Sequence, residues 1–551
     1  MRFLTSISGR SKSASVVCQR TEGMGMRAFV AGVIVISLVE TALAGEHHAG
    51  VRLPELPDRL IVEAYQRAAT QNVLAAVNPK VFPGYWSVCA DGVGFGHGNT
   101  YPSLDGHQMT DALLFLGQVE VVKANWDYVR KFQRPSGQLP LAILPANAGT
   151  ALGPPGNQSK VDANGGLYRH WVPGDPLRAL SSPTYLQNAD VIYRYTQDRH
   201  WLLRQLPSIN LAADFLASLT TGEGAVGGAG YYVERPTRVE YDGVAQCHAV
   251  DAFQSAAALN ALAGRQKAAR RYRELAGRIS SHFGSSFWVK DRFAEYIHPE
   301  RGVIANHGLT DVDWAAIATG VASAEQIAKV WPQLKDEKRF CYGGMPAGIA
   351  TLPGSYESWE FTYNDRMDLA AMGRVWYLEC WARARMADGQ GLVNSIRKVC
   401  QVGKASGYYW RERYTEKGGH GAEKYCEYPA NLIRIVQRFL LGVDFGLDGS
   451  LIVAPTAPEE FWNVGFGQTL SWRGRNLSYR MWRDRIVGDY AGESPQRLCV
   501  KLREPLRKTA ATVRINGLPV ESMVEGDKLI VLLPAAPIGR PCHFEAQQGG
   551  P

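Results

Sequence analysis

The sequence predicts a mainly α-helical protein whose helices follow one another as hairpins, in a toroid or an irregular bundle, with a β-sandwich at the C-terminal end. Two observations predict this fold class. Between about residues 105 and 442, apolar residues recur at helical spacing in one segment after another. After residue 446 the pattern changes to short alternating segments bounded by Gly, Pro, Asn and Asp, which is typical of strands. We therefore expect a helical domain at 45–445 and a β-sandwich domain at 446–551, behind a leader at 1–44.

The helical segments pair along the chain. The first, 105–133, keeps Leu113, Leu116, Val119 and Val122 at helical spacing. Further pairs are predicted at 182–198 with 206–221, 246–265 with 267–288, 311–321 with 323–334, and 364–386 with 391–402, followed by a last helix at 428–443. The loops between the pairs are long and rich in Gly, Pro and aromatic residues, and loops of this kind on a rigid scaffold are where functional sites tend to be built.

The strand segments of the C-terminal region are equally short and regular. They are predicted at 449–458, 466–492, 497–505, 509–522 and 527–534. Within "INGLPV", Asn516 and Gly517 predict a tight hairpin turn between two alternating strands.

Composition excludes some functions. The chain of 551 residues is 46% hydrophobic and 20% charged, which is ordinary for a globular protein. Its formal charge of +8 includes an excess of basic residues in the leader and is otherwise spread along the chain without a Lys/Arg run. A nucleic-acid partner is therefore not expected, because its binding requires clustered basic residues. The 14 Trp residues favour a ligand that stacks on aromatic rings.

The N-terminal region has the parts of a secretory signal. Arg27 precedes an apolar run at 28–39, which is too short to span a membrane as a helix, and small residues at 42–44 precede Gly45. We expect cleavage before Gly45 and a secreted or periplasmic protein without a membrane span; an uncleaved anchor is the alternative.

Cysteine and histidine spacing gives no sign of a metal or cofactor. The chain has nine Cys residues and no C-x-x-C pair, and no H-E-x-x-H motif is present. No cofactor and no metal are expected. In an exported protein, Cys499 and Cys542 are one possible disulfide pair, with buried free thiols as the alternative.

The hairpins and the C-terminal sandwich together resemble the six-hairpin glycosidases. "YPSLDGHQMTDALLFLGQ" is similar to the acidic stretch that enters a barrel helix in alpha-L-rhamnosidase-like enzymes. "GGMPAGIATLPGSYESWEF" resembles their later loop with a Trp-Glu pair, and "RFLLGVDFGLDGSLIVAPTAP" resembles their exit into the sandwich. The resemblance implies an (α/α)6 barrel, a carbohydrate substrate and glycoside hydrolysis, usually with inversion.

Glycoside hydrolysis requires two carboxyl groups, one to protonate the leaving oxygen and one to activate water or attack the sugar. By the resemblance, Asp105 is the expected acid; capping of the following helix is the alternative. Glu360, within the aromatic stretch "GSYESWEFTYNDR", is the expected base. Its alternative is a turn or salt-bridge role beside Arg366 or Arg374. Glu423 is a rival base, because trehalase-like relatives carry theirs near the last helices.

Six further residues are expected to contact the sugar. Trp359 offers a stacking surface, Asp91 lies in a Gly-rich loop that lets the backbone approach a ligand, and Glu427 is both a ligand candidate and a rival base. The full set is Asp91, His107, Asp111, Glu357, Trp359 and Glu427.

Two other functions remain open at this point. A polysaccharide lyase also combines an α/α toroid with a β-sandwich, and it would use Tyr or His as base. A non-catalytic carbohydrate-binding protein would keep the aromatic residues and show no turnover. The carboxylate-rich loops favour hydrolysis.

Overall fold

A computed structural model of the chain describes residues 51–80, 82–92, 104–140, 142–143, 166–167, 181–228, 237–340, 342–361, 366, 368–504 and 511–548. The chain divides into two compact units, Met1–Gly50 and Val51–Pro551. The first unit, and with it the predicted leader at 1–44, lies outside the described residues.

Helices dominate the described residues up to 440. In chain order they are α1 (Arg59–Arg67), α2 (Leu104–Phe115), α3 (Val119–Arg130), α4 (Ser181–Thr196), α5 (Arg199–Ser218), α6 (Gly243–Leu262), α7 (Gln266–Ser286), α8 (Asp311–Ala318), α9 (Ala324–Leu334), α10 (Gly373–Arg385), α11 (Gly389–Ala405) and α12 (Glu427–Ile435). Helices α1 and α12 each continue into a π-helical turn, at Ala68–Val73 and Val436–Leu440.

Six of these helices form a closed inner ring. Helices α2, α4, α6, α8, α10 and α12 each contact the next, and α12 contacts α2 again. The other six lie outside them: α3, α5, α7, α9 and α11 each pack on the inner helix that precedes them, while α1 packs on α11 and α12. The predicted helical toroid is therefore confirmed as a barrel of paired helices.

Burial patterns explain which helices are inner and which are outer. Helix α6 is buried on nearly all sides and is rich in Ala, which allows close packing within the ring. Helix α7 buries one stripe at helical spacing, namely Ala269, Tyr272, Leu275, Ala276, Ile279 and Phe283, and exposes its charged face. The two helices meet at Gly264, whose positive φ of 76° ends α6 as the sequence predicts.

The two ends of the barrel differ in their loops. Connections from an inner to the following outer helix are short, at 116–118, 197–198, 263–265, 319–323 and 386–388. Connections back to the next inner helix are long, at 131–180, 219–242, 287–310, 335–372 and 406–426. Because a hairpin reverses the chain, all inner helices run the same way, and the long loops gather at their N-terminal ends. We call this end the N-terminal pole.

Short strands pair with one another within the long loops. They are β2 (Ala142–Ile143), β3 (Gly166–Leu167), β4 (Trp288–Val289), β5 (Arg292–Phe293), β6 (Tyr296–His298), β7 (Gly302–Ile304), β8 (Ala371–Met372), β9 (Arg413–Thr415) and β10 (Gly418–His420). Strand β9 joins β8 to β10 in one three-stranded sheet, so the loop before α10 is tied to the loop before α12.

The C-terminal region forms two larger sheets. Its strands are β11 (Val443–Phe445), β12 (Leu451–Val453), β13 (Phe466–Trp472), β14 (Arg475–Met481), β15 (Arg485–Ala491), β16 (Gln496–Val500), β17 (Ala511–Ile515), β18 (Leu518–Val520), β19 (Met523–Glu525), β20 (Lys528–Leu533) and β21 (Cys542–Gln548), with helix α13 (Glu459–Val464) before β13. One sheet has the order β11-β12-β16-β20-β19. The other has the order β13-β14-β15-β21-β17-β18 and gains β1 (Pro54–Glu55) beside β13. Strand β20 contacts β17 and β21 across the interior, so the predicted sandwich is confirmed.

Two details of this region bear on the sequence predictions. Asn516 and Gly517 both have positive φ, at 50° and 82°, and form the predicted hairpin turn between β17 and β18. Cys499 and Cys542 lie on different sheets, and both are free and buried. The proposed disulfide between them is therefore wrong, and the alternative of buried thiols holds.

The sandwich packs on the barrel through buried contacts. The side-chain amides of Gln437 and Gln468 exchange two hydrogen bonds, of 2.9 and 3.0 Å. The ring of Tyr195 meets Phe445 edge-on, with centroids 5.1 Å apart. Strand β11 begins at Val443, just before the predicted boundary at 446, and β1 comes from the segment before the first helix.

Candidate active site

Charged residues gather at the N-terminal pole. Asp105 and Arg374 lie in the first turns of α2 and α10, and Asp311 and Glu427 are the first residues of α8 and α12. Carboxylates at these positions interact favourably with the positive ends of the helix dipoles. The described residues of the pole form two groups, one around Asp105 and one around Glu360.

Asp105 is partly buried, and the hydroxyl of Tyr425 donates to its Oδ1 at 3.0 Å. Burial raises the pKa of Asp105 to about 7, and the charges of Glu427 and Glu412 add to this effect while Arg374 opposes it. A carboxyl group with this pKa is substantially protonated at neutral pH. It can therefore donate a proton, as a general acid must.

Glu427 is paired with Arg374. Its two oxygens accept from Nε and from a terminal nitrogen of Arg374, each at 3.1 Å, and one oxygen also accepts from the backbone N–H of Arg374. Gly373 permits this approach, because a Cβ there would stand 2.9 Å from Cγ of Glu427. Glu427 is only 3% exposed, so its carboxylate serves first as the counter-ion of Arg374.

A second set of ion pairs lies near the Glu427–Arg374 pair. Arg413, on β9, pairs with the buried carboxylates of Asp368 and of Glu412, the latter at 2.6 Å. Glu412 also accepts from the backbone N–H of Ala422 at 3.0 Å. Burial raises the pKa of Glu412, against the pull of Arg413. Asp105 is therefore surrounded by carboxylates whose charge is mostly compensated by arginines.

His107 and Asp111 lie farther along α2. Asp111 is 1% exposed and pairs with Arg434 at 3.1 Å and with Arg438 at 2.5 Å. Burial works against its ionisation, but the two arginines hold its pKa below the usual range. His107 donates from Nδ1 to Oδ1 of Asn188 at 2.7 Å, and burial lowers its pKa to about 3, so the ring is neutral.

Glu360 ends a short 3₁₀ turn, Ser358–Glu360, and is 2% exposed. Its Oε1 accepts from the Tyr296 hydroxyl at 2.8 Å. Its Oε2 accepts from the backbone N–H of Glu357 at 2.8 Å and faces Nε2 of His307 at 3.2 Å. Glu360 therefore has the turn role that was the alternative in the sequence analysis. Its charged partner, however, is His307 and not Arg366 or Arg374.

His307 connects Glu360 to a fully buried network. Its Nδ1 contacts Glu295, and its ring stacks on Tyr356 with centroids 3.6 Å apart. Glu295 accepts from Nε of Arg238 at 2.8 Å, and Arg238 also pairs with Asp311 at 2.6 Å. Burial disfavours the charge on Glu295, but Arg238 and His307 keep its pKa below its usual value.

Trp359 and Glu357 lie beside this network. Nε1 of Trp359 donates to Glu357 at 2.8 Å. The guanidinium of Arg301 lies 4.0 Å from the centroid of the indole ring, and His298 meets the ring edge-on. One face of Trp359 is therefore in contact with Arg301.

Two predicted residues lie toward the surface. Asp91 is exposed and pairs with Lys424 at 3.5 Å. The side chain of Glu423 is 66% exposed and pairs with Arg411 at 2.6 Å.

The ring order relates the two groups to each other. Asp105 belongs to α2, whereas the network that holds Glu360 includes Asp311 at the start of α8. In the ring α2-α4-α6-α8-α10-α12, α2 and α8 are three positions apart and so lie opposite each other. Asp105 and the Glu360 network therefore belong to facing walls of the pole.

Sequence reasoning missed most of the residues that hold these two groups in place. They are Arg238, Glu295, His307, Glu412 and Tyr425. Arg374 was considered only as a partner of Glu360, whereas the structure pairs it with Glu427. These residues come from separate loops and share no motif. Their common feature is a position in the loop, or in the first turn, at the start of an inner helix, and that feature becomes visible only once the inner helices are known.

Comparisons with known proteins place the fold. No protein-family model matches the chain, and no curated protein matches it in sequence. Among solved structures, a GH78 family rhamnosidase of Bacillus sp. GL1 is 12% identical with a TM-score of 0.57, over 78% of this chain and 40% of that chain. The alpha-L-rhamnosidase from Dictyoglumus thermophilum is 12% identical with a TM-score of 0.55, over 90% of this chain and 51% of that chain. A protein described as a sialidase is 13% identical with a TM-score of 0.58, over 79% of this chain and 38% of that chain.

The chain thus has the six-hairpin (α/α)6 fold of the GH78 alpha-L-rhamnosidases, as the sequence resemblance predicts. It spans between 38% and 51% of the lengths of these three structures. In the part of the chain that the structure describes, no helix is long and apolar enough to cross a membrane. The same residues contain no cluster of three or more His, Cys, Asp or Glu side chains suited to a metal ion.

Proposed function

We propose that the protein is an exported glycoside hydrolase that cleaves a glycosidic bond in an oligosaccharide or a polysaccharide side chain, with inversion. The observation that carries this proposal is Asp105, a carboxyl group at the N-terminal pole whose pKa burial raises to about 7. In this proposal, Asp105 protonates the leaving oxygen, and Glu360 removes a proton from the attacking water.

The surroundings of Asp105 suit a proton donor. The Tyr425 hydroxyl fixes one oxygen, which leaves the other oxygen to carry and deliver the proton. Glu427 compensates the charge of Arg374, so that this arginine lowers the pKa of Asp105 less than it would alone. The Glu427–Arg374 ion pair thus adjusts the pKa of Asp105 without taking part in the proton transfer.

The surroundings of Glu360 supply hydrogen-bond donors to both of its carboxylate oxygens. Its carboxylate faces three hydrogen-bond donors: the Tyr296 hydroxyl, Nε2 of His307 and the backbone N–H of Glu357. In this proposal, Glu360 is assigned to the wall opposite Asp105. An inverting mechanism requires its acid and base on opposite sides of the scissile bond, about 6.5–9.5 Å apart, so that a water fits between them. Of the rivals, Glu423 faces solvent beside Arg411, and Glu427 is neutralised by Arg374.

The remaining predicted residues enter the proposal as sugar contacts. Trp359 offers the face not taken by Arg301 for stacking, with Glu357 holding the indole N–H. Asp91, His107, Asp111 and Glu427 complete the proposed set. A secreted or periplasmic location, after cleavage before Gly45, places the enzyme where such glycans occur.

Activity of the purified protein on a panel of nitrophenyl glycosides and plant or bacterial polysaccharides tests the proposal. We expect release of reducing sugar from at least one member, and a loss of about 10²–10⁴-fold in kcat for Asp105→Asn. The matched control is Asp214→Asn. Asp214 lies on α5 in an exposed pair with Arg271 of α7, so its replacement should leave kcat unchanged. An unsaturated product absorbing in the ultraviolet would instead indicate a lyase, and binding without turnover would indicate a carbohydrate-binding protein.

A further inference from the structure

His307 lies between two carboxylates. Its Nδ1 contacts Oε2 of Glu295, and its Nε2 lies 3.2 Å from Oε2 of Glu360. An ionised carboxylate can only accept hydrogen bonds, so both ring nitrogens must carry a proton for both contacts to form. When both carboxylates are ionised, the geometry therefore corresponds to an imidazolium shared by Glu295 and Glu360.

Glu295, which contacts Nδ1 of His307, is itself held in place by further partners. Glu295 is held by Arg238 at 2.8 Å and by the Tyr356 hydroxyl at 3.0 Å from each oxygen. Tyr356 also stacks on the imidazole ring, which fixes the ring plane. Arg238, Glu295 and His307 have no exposed surface, so these side chains have little freedom to rearrange.

We infer that His307 is a positioning residue: shared between Glu295 and Glu360, it holds the Glu360 carboxylate in the orientation that catalysis requires. This inference rests on the proposed function, in which Glu360 is the base. The groups that face His307 are Glu295 before β6, Glu360 from the 3₁₀ turn, and the ring of Tyr356, with Arg238 behind Glu295. Burial opposes the positive charge of His307, but the two carboxylates outweigh it and raise its pKa to about 9.

Two substitutions separate positioning from packing. An asparagine amide reaches the place of Nδ1, and a glutamine amide reaches the place of Nε2. His307→Asn therefore keeps the contact with Glu295 and loses the donor to Glu360, while His307→Gln does the reverse. We expect His307→Asn to lower kcat by about 10²-fold with little change in KM, since a misplaced catalytic group costs about this much. His307→Gln should retain clearly more activity than His307→Asn.

The variants are compared per folded molecule, with folding followed by circular dichroism and thermal unfolding. His200→Asn, an exposed histidine on α5, is the control for the substitution itself. Equal kcat values for the two variants and the wild type, despite similar losses of stability, would overturn the inference and indicate a structural role alone.

A second measurement reports on His307 without activity. In protein labelled with ¹⁵N-histidine, the signal missing from His307→Asn identifies His307. We expect both of its ring nitrogens to be protonated at neutral pH and to titrate near pH 9, and Glu360→Gln should move this titration to lower pH. A neutral ring at pH 7 would overturn the inference. Wild-type protein inactive on every glycoside would overturn the proposed function and the catalytic role of His307 with it, while the titration still decides the shared-imidazolium geometry.

Discussion

The two proposed catalytic carboxyl groups owe their different properties to their neighbours. Asp105 has one hydroxyl donor and two nearby carboxylates, so burial dominates and its pKa rises to about 7. Glu360 has three donors, one of them on a positively charged ring. Under the proposed function, these different hydrogen-bond environments accompany different roles, with Asp105 as the proton donor and Glu360 as the proton acceptor.

Replacing Glu427 tests this view of Asp105. In Glu427→Gln, a charge that raises the pKa of Asp105 is removed, and Arg374, which lowers that pKa, loses its counter-ion. Because Asp105 must be protonated to act, the alkaline limb of the pH profile of kcat/KM should move to lower pH. Glu412→Gln should shift it in the same direction, since Glu412 also raises the pKa. An alkaline limb that stays in place in both folded variants would contradict the tuning role.

At the scale of elements, the N-terminal pole is held together by arginines that join separate loops. Arg238, in the loop before α6, pairs with Glu295 before β6 and with Asp311 of α8. Arg413 on β9 plays the same part for Asp368 and Glu412. Each arginine compensates several buried carboxylates, so the loops depend on it for their position.

Loss of Arg238 should destabilise the fold strongly. Arg238→Met leaves Asp242, Glu295 and Asp311 buried without their shared counter-ion, and breaking a buried ion pair typically costs about 3–5 kcal/mol. Chemical denaturation would measure this change. Arg271→Met, whose exposed partner is Asp214, is the control and should cost less than about 1 kcal/mol. Similar unfolding midpoints for the two variants would show that Arg238 does not hold the pole together.

At the scale of the molecule, local patterns in the sequence predict the helical toroid and the sandwich, because helical spacing, alternation and turns such as Asn516–Gly517 depend on neighbouring residues. The pairing of β1 with β13 could not be predicted, because a two-residue strand has no pattern of its own and its partner is about 400 residues away. The contacts of His307 with Glu360 and of Arg374 with Glu427 were not predicted either, because each joins residues 53 positions apart that share no local pattern. Asp105 and Glu360 entered as candidates through resemblance, and their catalytic roles remain proposals.

The central claim is that Asp105 protonates the leaving group. The most direct measurement is kcat/KM of Asp105→Asn on a series of glycosides of the cleaved sugar with increasingly poor leaving groups. A dinitrophenolate leaves without protonation, so the variant should approach wild-type activity there, and the loss should grow to about 10²–10⁴-fold for an alkyl leaving group. An equal loss across the whole series, or no loss at all, would contradict the assignment of Asp105 as the general acid.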